Sequence, residues 1–366
     1  MALNFPSPAS DSLKWRRWAG RDVLPLWVAD LDCQVAPVVQ AALQQRLAHG
    51  VFGYSLPDQA ATAAAVGMLA RHGWTVDPAW LVWLPGLVTG IAAACRVGGG
   101  PVTSTTPIYP PFLTVPRQQG LEVRAVPLLA GAVHDLERLP TPAGTTLLCL
   151  PHNPTGRVFT TAELAALGSA LSSGRGVVVS DEAWADLVLD PACRHVPLAL
   201  AAPQLLPRLI ALYSPAKAFN LPGLGCALAV VPDAALRQRF WAEIRTMGAH
   251  PGPLGYAATA AAWSDGWAWL DELKDHLRQQ TDRAMAVLST LPGVRVQRPE
   301  ATFLLWLDLR AVGPADPAAW LLSHGLGLSD GAEFDAPGFV RLNLGCSPKL
   351  LDEALARLAR AVTSLG

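Results

Sequence analysis

Short apolar runs recur through the middle of the chain and alternate with stretches of helical spacing. That rhythm predicts stacked βαβ units around a mostly parallel sheet, because parallel neighbours need a crossover helix between them. The candidate strands are Leu81–Leu84, Val102–Thr105, Val123–Pro127, Thr146–Leu150, Val177–Ser180, Leu209–Tyr213 and Ala227–Val231. Thr161–Leu171 has helical spacing, with Thr160 or Thr161 placed to cap its first turn and Glu163 suited to that end. After about residue 265 the pattern changes to a long amphipathic helix, DGWAWLDELKDHLRQQTDRAMAVLSTL, and then a strand pair, Ala301–Leu309 and Gly338–Asn343. The expected fold class is α/β, a doubly wound large domain with a seven-stranded, mostly parallel sheet plus a smaller α+β domain. We expect residues 1–35 to pack on the small domain, 36–265 to form the large one and 266–366 the small one.

Composition narrows the setting. Hydrophobic residues make up 51% of the chain and charged residues only 16%. Runs such as LLCL at 147–150 and GVVVS at 176–180 stop well short of the roughly 20 apolar residues of a membrane helix, so they read as buried strands. The start, MALNFPSPASDSLKW, lacks the basic and apolar blocks of a secretory signal, which makes the cytoplasm the expected compartment. A net charge of −1 gives no global electrostatic reason to bind nucleic acid or an anionic membrane and points to a small-molecule role. Cys33, Cys95, Cys149, Cys193, Cys226 and Cys346 are scattered without a C-x-x-C pair and read as small core residues, not as a disulfide or metal framework.

The chain has four lysines, Lys14, Lys217, Lys274 and Lys349. Lys274 in DELKDHL and Lys349 in SPKLLDEALARL read as solvated surface charges, and Lys14 stands in a polar N-terminal segment. Lys217 differs, because YSPAKAFNLPGLG sets it between a strand end and a glycine-rich turn. Ligands of open α/β sheets gather at the carboxyl ends of strands, where a lysine can be desolvated and its amine activated. A loop lysine snorkelling to solvent is the plain alternative. Two neighbouring strand ends carry Asn153, in LLCLPHNPTG, and Asp181, in VVVSDEAW. Each also reads as turn or capping chemistry. Together with Lys217 they form the set a pyridoxal ring requires: a carboxylate for the pyridine nitrogen, an amide for the phenolic oxygen and an amine for the aldehyde.

These segments extend into a longer series: LKW at 13–15, LPLWVADLD at 24–32, HGVFGYS at 49–55, TPIYPPF at 106–112, LPHNPTGRV at 150–158, SDEAWADL at 180–187, SPAKAFNLPGL at 214–224, WLDEL at 269–273, ATFLLWLD at 301–308 and GFVRLNLG at 338–345. In that order the series resembles the pyridoxal-phosphate fold-type I superfamily, with the aspartate-aminotransferase fold, and within it the MalY/PatB-like cystathionine β-lyase group. The resemblance covers nearly the whole chain. It implies that Lys217 holds pyridoxal 5′-phosphate as a Schiff base, that Asp181 partners the pyridine nitrogen, that Asn153 bonds the phenolic oxygen and that Tyr109 stacks on the ring. It further implies a phosphate site made by Ser214 and the main-chain N–H groups of Gly86, Leu87 and Val88. A helix opening at LPGLVTGIAAA would itself present free donors to an anion. By the same resemblance Arg341 grips the substrate α-carboxylate, Ala29 borders it with main chain, and Tyr54 reaches the phosphate of a neighbouring subunit, which implies a homodimer.

Three positions depart from that pattern. Trp184 stands three residues after Asp181, where the group usually has histidine and many aminotransferases tyrosine, and an indole donates one hydrogen bond but neither accepts nor titrates. Ala216 precedes the lysine where a hydroxyl is common. Gly225 occupies a place that often carries a phosphate-binding arginine in aminotransferases, which leans toward the lyase group. The expected activity is β-elimination on an L-cysteine S-conjugate such as cystathionine. An aminotransferase is the alternative, and a cofactor-binding regulatory protein with little turnover is a third.

Overall fold

A computed structural model describes residues 3–9, 11–139 and 143–365. Thirteen strands are present among them: β1 Leu24–Pro25, β2 Leu81–Leu84, β3 Val102–Thr106, β4 Val123–Pro127, β5 Thr145–Cys149, β6 Val177–Asp181, β7 Leu209–Tyr213, β8 Ala227–Val230, β9 Arg295–Val296, β10 Leu304–Asp308, β11 Leu326–Gly327, β12 Ser329–Asp330 and β13 Phe339–Asn343. All seven strands expected in the middle of the chain form, within a residue at each end.

They build one sheet in the order β2-β8-β7-β6-β5-β3-β4. Only β8 runs against its neighbours, and the other adjacent pairs are parallel. Every residue of β3, β5, β6, β7 and β8 is buried. Helices on both faces of a parallel sheet explain why β7 and β8 read as continuous apolar runs, and why β3, with four hydroxyl residues, is buried along its whole length without alternating. Edge strand β4 is mostly exposed and carries Arg124 and Pro127, residues that discourage pairing with a further strand.

The helix Thr161–Ser172 opens as its sequence suggests. Thr160 is the N-cap, its hydroxyl accepting from the Glu163 N–H while the Glu163 carboxylate accepts from the Thr160 N–H. Two smaller sheets lie elsewhere. β12, β13, β10 and β9 form an antiparallel sheet in which Trp306 faces Arg341, and β1 pairs in parallel with β11, carrying the N-terminal segment onto the C-terminal part of the chain. The long helix Trp267–Leu288 packs against the last helix, Pro348–Thr363. Five of the six cysteines are buried and Cys193 is partly so, none in a disulfide. Among the described residues no helix is long and apolar enough to cross a membrane.

Because Thr160 and Glu163 satisfy each other's end of the helix, Thr160→Ala should lower stability by about 1 kcal/mol without changing ligand binding. Urea denaturation measures this, and an unchanged midpoint would remove the capping box from the account of this helix.

Candidate functional site

Parallel strands put their carboxyl ends on one edge of the sheet, and the chemistry-bearing residues collect there. Asp181 is the last residue of β6, Ser214 and Lys217 follow β7, Asn153 follows β5 and Tyr109 follows β3. Opposite them comes Arg341 from the middle of β13.

The Lys217 amine donates to the main-chain oxygen of Ala29 at 2.9 Å, and its Nζ lies 5.6 Å from the centre of the Trp184 ring. Desolvation lowers its pKa from the ordinary lysine value to about 8, helped by the Arg341 cation and opposed by Asp30 and Asp181. Asp181 is buried, and burial raises its carboxyl to about 6 against the pull of the Ala183 N–H, which it accepts at 3.1 Å, and of the Lys217 charge. Burial pushes the Tyr109 phenol up to about 12, with the Asp181 charge adding to the effect. These shifts share one cause, a pocket that water only partly reaches.

Arg341 is buried and its guanidinium is drawn down to about 10 by desolvation. It donates to Asn153 Oδ1 at 2.9 Å, to the Trp27 carbonyl at 3.1 Å and to Ser329 Oγ at 3.3 Å, and it lies 4.7 Å over the Phe334 ring. Its Nε has no hydrogen-bond partner among the described residues. Ser214 Oγ donates to the Cys226 carbonyl at 3.0 Å and accepts the Ala216 N–H at 3.2 Å, which gives Ala216 a main-chain part in the site. Gly86 is the N-cap of the helix Leu87–Gly98, and no side chain caps it.

Sequence expectations need correcting at two lysines. Lys14 is completely buried and paired with Asp30 at 3.5 Å and Asp32 at 3.0 Å. Lys274, expected in solvent, is partly buried, and desolvation lowers its pKa. The departures from pattern also gain structural content. Trp184 is buried with its edge against Phe303, ring centres 5.0 Å apart, and presents its face toward the Lys217 amine. Gly225 has φ +58°, and a Cβ there would stand 3.2 Å from the Pro85 carbonyl beside the phosphate loop, so a side chain is disfavoured twice. One residue of the expected set stays apart from the rest of its own chain's site. Tyr54 is 96% exposed, its ring 5.6 Å from that of His250.

Reading motifs alone missed three contributors. Asn220 bonds the Leu31 N–H and the Leu31 and Cys33 carbonyls, Asn343 bonds the Val28 and Asp30 carbonyls, and Ser329 bonds both Arg341 and the Trp27 carbonyl. Asn220 lies in the stretch AFNLPGL and Asn343 ends β13 in RLNLG, and an asparagine inside such a recognisable stretch was the available signal.

Residues 21–358 match the family model of class I and II aminotransferases. The cystathionine β-lyase PatB of Bacillus subtilis is 35% identical over 97% of both chains. The crystal structure of OvoB superposes with a TM-score of 0.96 at 42% identity, covering 99% of this chain and 98% of that one. The chain belongs to the class I and II aminotransferase family. Its place within that family is the PatB- and MalY-like group of fold type I. Cystalysin from Treponema denticola, 26% identical with a TM-score of 0.92 over the full length of both chains, holds pyridoxal 5′-phosphate in its structure. The residues here fit that molecule. An uncapped helix start suits its phosphate, the buried Asp181 suits its ring nitrogen, Asn153 its phenolic oxygen and Lys217 its aldehyde.

Asp181 also carries a pH signature in the cofactor-free protein. Its folded pKa of about 6 lies above the ordinary value of 3.8, so between the two the folded chain keeps a proton that the unfolded chain has lost. Stability therefore falls as pH rises through about 6. Cofactor-free Asp181→Asn should be more stable than the parent at pH 8, by on the order of 2 kcal/mol, with the gap closing toward pH 4. Urea denaturation at the two pH values checks this, and a gap independent of pH would contradict it.

Proposed function

We propose that the protein is a pyridoxal-phosphate-dependent C–S lyase that cleaves L-cysteine S-conjugates such as cystathionine to a thiol, pyruvate and ammonia. The observation that carries this reading is the desolvated Lys217 amine, with a pKa near 8, standing between Asp181 and Arg341 at the carboxyl edge of the sheet. The PatB and MalY relatives and the glycine at position 225 favour elimination over amino transfer. The working frame is a cleft between a large unit, 36–265, and a small one, 266–366, with residues 1–35 leaning on the latter; the β1–β11 pairing supports that division. Six unpaired cysteines suit the reducing cytoplasm.

When bound, the cofactor supplies an aldehyde that condenses with amines and a ring that draws off the electron pair left by Cα–H cleavage. Arg341 binds the substrate carboxylate as a fork, using donors that now rest on neutral oxygens, and the Ala29 main chain borders the same group. Lys217 takes the Cα proton. Its depressed pKa leaves a substantial neutral fraction near pH 8, the condition a general base needs. Asp181 holds a proton at the pyridine nitrogen, where its burial makes the charge-assisted bond strong. Asn153 holds the phenolic oxygen, Tyr109 covers the ring face, and Ser214 with the N–H groups of Gly86, Leu87 and Val88 holds the phosphate. The Cβ–S bond then breaks with its electron pair on sulfur, and the three-carbon remainder takes up water to give pyruvate and ammonia.

Purified protein loaded with pyridoxal phosphate should release pyruvate and thiol from cystathionine with no keto acid added, and Lys217→Ala should release neither and fix no cofactor on borohydride reduction. Turnover only in the presence of a keto acid would establish the aminotransferase reading instead. A loaded but inert protein would leave a binding or regulatory role.

The working assembly in this reading is a homodimer in which Tyr54 completes the neighbour's phosphate site. Its support is exposure: Tyr54, Leu56 at 83% and Val51 at 62% form an apolar stretch that a single chain leaves open to water. Tyr54→Phe should weaken cofactor retention by about 1.5–3 kcal/mol, the usual worth of a hydrogen bond to a charged group. In a dimer mixed from Tyr54→Phe and Lys217→Ala subunits both lesions fall on one site and the other is intact, so activity should rise on subunit exchange. No gain, or a fully active monomer in sedimentation, would return Tyr54 to a surface residue.

A further inference from the structure

Residues 26–33 run outside any strand and form one wall of the site, and their carbonyls are held almost entirely by side chains. The Trp27 carbonyl accepts from Arg341 and Ser329, those of Val28 and Asp30 from Asn343, that of Ala29 from Lys217, and those of Leu31 and Cys33 from Asn220. Two of these donors, Lys217 and Arg341, are the groups that the proposed reaction draws toward the substrate. A wall supported by its own reactants loses part of its support at the moment it is used.

A second anchor reaches the same segment from the N-terminal side. The Lys14 ammonium, wholly buried, lies 3.0 Å from Asp32 Oδ2 and 3.5 Å from Asp30 Oδ1. The next residue, Trp15, donates its indole N–H to Asp32 Oδ1 at 3.1 Å, and the Lys14 carbonyl accepts from the Trp27 indole at 3.3 Å. A buried ammonium is costly unless paired, and the partners of this one among the described residues are Asp30 and Asp32, in the segment that carries Ala29. Asp30 is directly bonded to Ala29, so the carboxylate that Lys14 grips lies one residue from the carbonyl on which Lys217 rests.

We propose that Lys14 is a positioning residue of the active site: clamped by Asp30 and Asp32, it keeps the Trp27–Asp30 wall in place while Lys217 gives up the Ala29 carbonyl for the cofactor and Arg341 gives up the Trp27 carbonyl for substrate. It touches neither substrate nor cofactor. The role rests on the assignment of Lys217 and Arg341 made above, and it accounts for a buried lysine that the chemistry itself does not use.

The test is Lys14→Met, loaded with pyridoxal phosphate and compared with the unsubstituted holoenzyme in two measurements. The first is spectral titration with L-alanine, an amino acid that has no leaving group on Cβ. The second is steady-state cleavage of cystathionine. A displaced wall should raise the L-alanine dissociation constant and KM together by about tenfold or more while kcat stays within about threefold, the split expected when ground-state positioning is lost and the reacting groups are intact. Asp32→Asn, which leaves the ammonium beside Asp30 but weakens the clamp, should show a smaller change of the same kind and serves if Lys14→Met does not fold. L-alanine binding and KM within about twofold of the parent in a folded variant, or a fall in kcat with KM unmoved, would overturn the proposal. The two claims separate cleanly: absence of pyruvate from the unsubstituted holoenzyme defeats the lyase reading, whereas the L-alanine comparison still decides the role of Lys14.

Discussion

The constraint on which the site depends is the partial exclusion of water from three charged side chains at one edge of a sheet. Lys217, Asp181 and Arg341 are each shifted in the direction that disfavours their charged form, and in each the largest cause is burial. A parallel sheet produces this without special devices. With both faces covered by helices, the only polar ends it offers are the strand termini, and β3, β5, β6 and β7 all end on the same side. The apolar strands that make the fold stable are therefore also what makes the chemistry of Lys217 possible.

Partial dehydration has to be balanced by hydrogen bonds, and the irregular segment 26–33 supplies the acceptor of Lys217 and one of those of Arg341. The Ala29 and Trp27 carbonyls, outside any strand ladder, meet Lys217 and Arg341 in the cofactor-free protein. In the proposed reading the helix start at Gly86 and the Ser214 hydroxyl would serve an anion, through groups already placed in the cofactor-free protein. Rigidity on the sheet side and exchangeable bonds on the segment side divide the work. One sets where the reacting atoms are, and the other lets them change partners.

What was legible in the chain follows from how local each signal is. Strands such as β7 and β8 could be read because a fully buried strand is a continuous apolar run, and the Thr160–Glu163 box because its parts are three residues apart. The strands β1, β9, β11 and β12 are two residues long and exist only through their partners, so no pattern within them announces a strand. Asn153, Asp181 and Lys217 were visible as strand-end residues. Burial of Lys14 was not, because it depends on Asp30 and Asp32 and on a wall assembled from residues as distant as Asn343. Lys274 failed for a similar reason. Its acidic neighbours in sequence suggest solvent, while its environment is set by what packs on the helix.

Arg341 shows what such an arrangement costs in stability. A buried guanidinium has five N–H donors, and here its Nε finds no protein acceptor while the others rest on an amide, a carbonyl and a hydroxyl, none of them charged. A carboxylate would satisfy the fork with charge-assisted bonds, which these neutral partners do not supply. An unsatisfied buried donor destabilises by about 1–3 kcal/mol, a sizeable part of the 5–15 kcal/mol that holds a typical domain folded. A carboxylate in place of Asn153 or Ser329 would pair with the terminal nitrogens that those residues meet and would compete with an incoming anion for them. In the proposed reading the neutral acceptors around Arg341 are the condition for binding: they keep the guanidinium ordered and are weak enough for an α-carboxylate to displace.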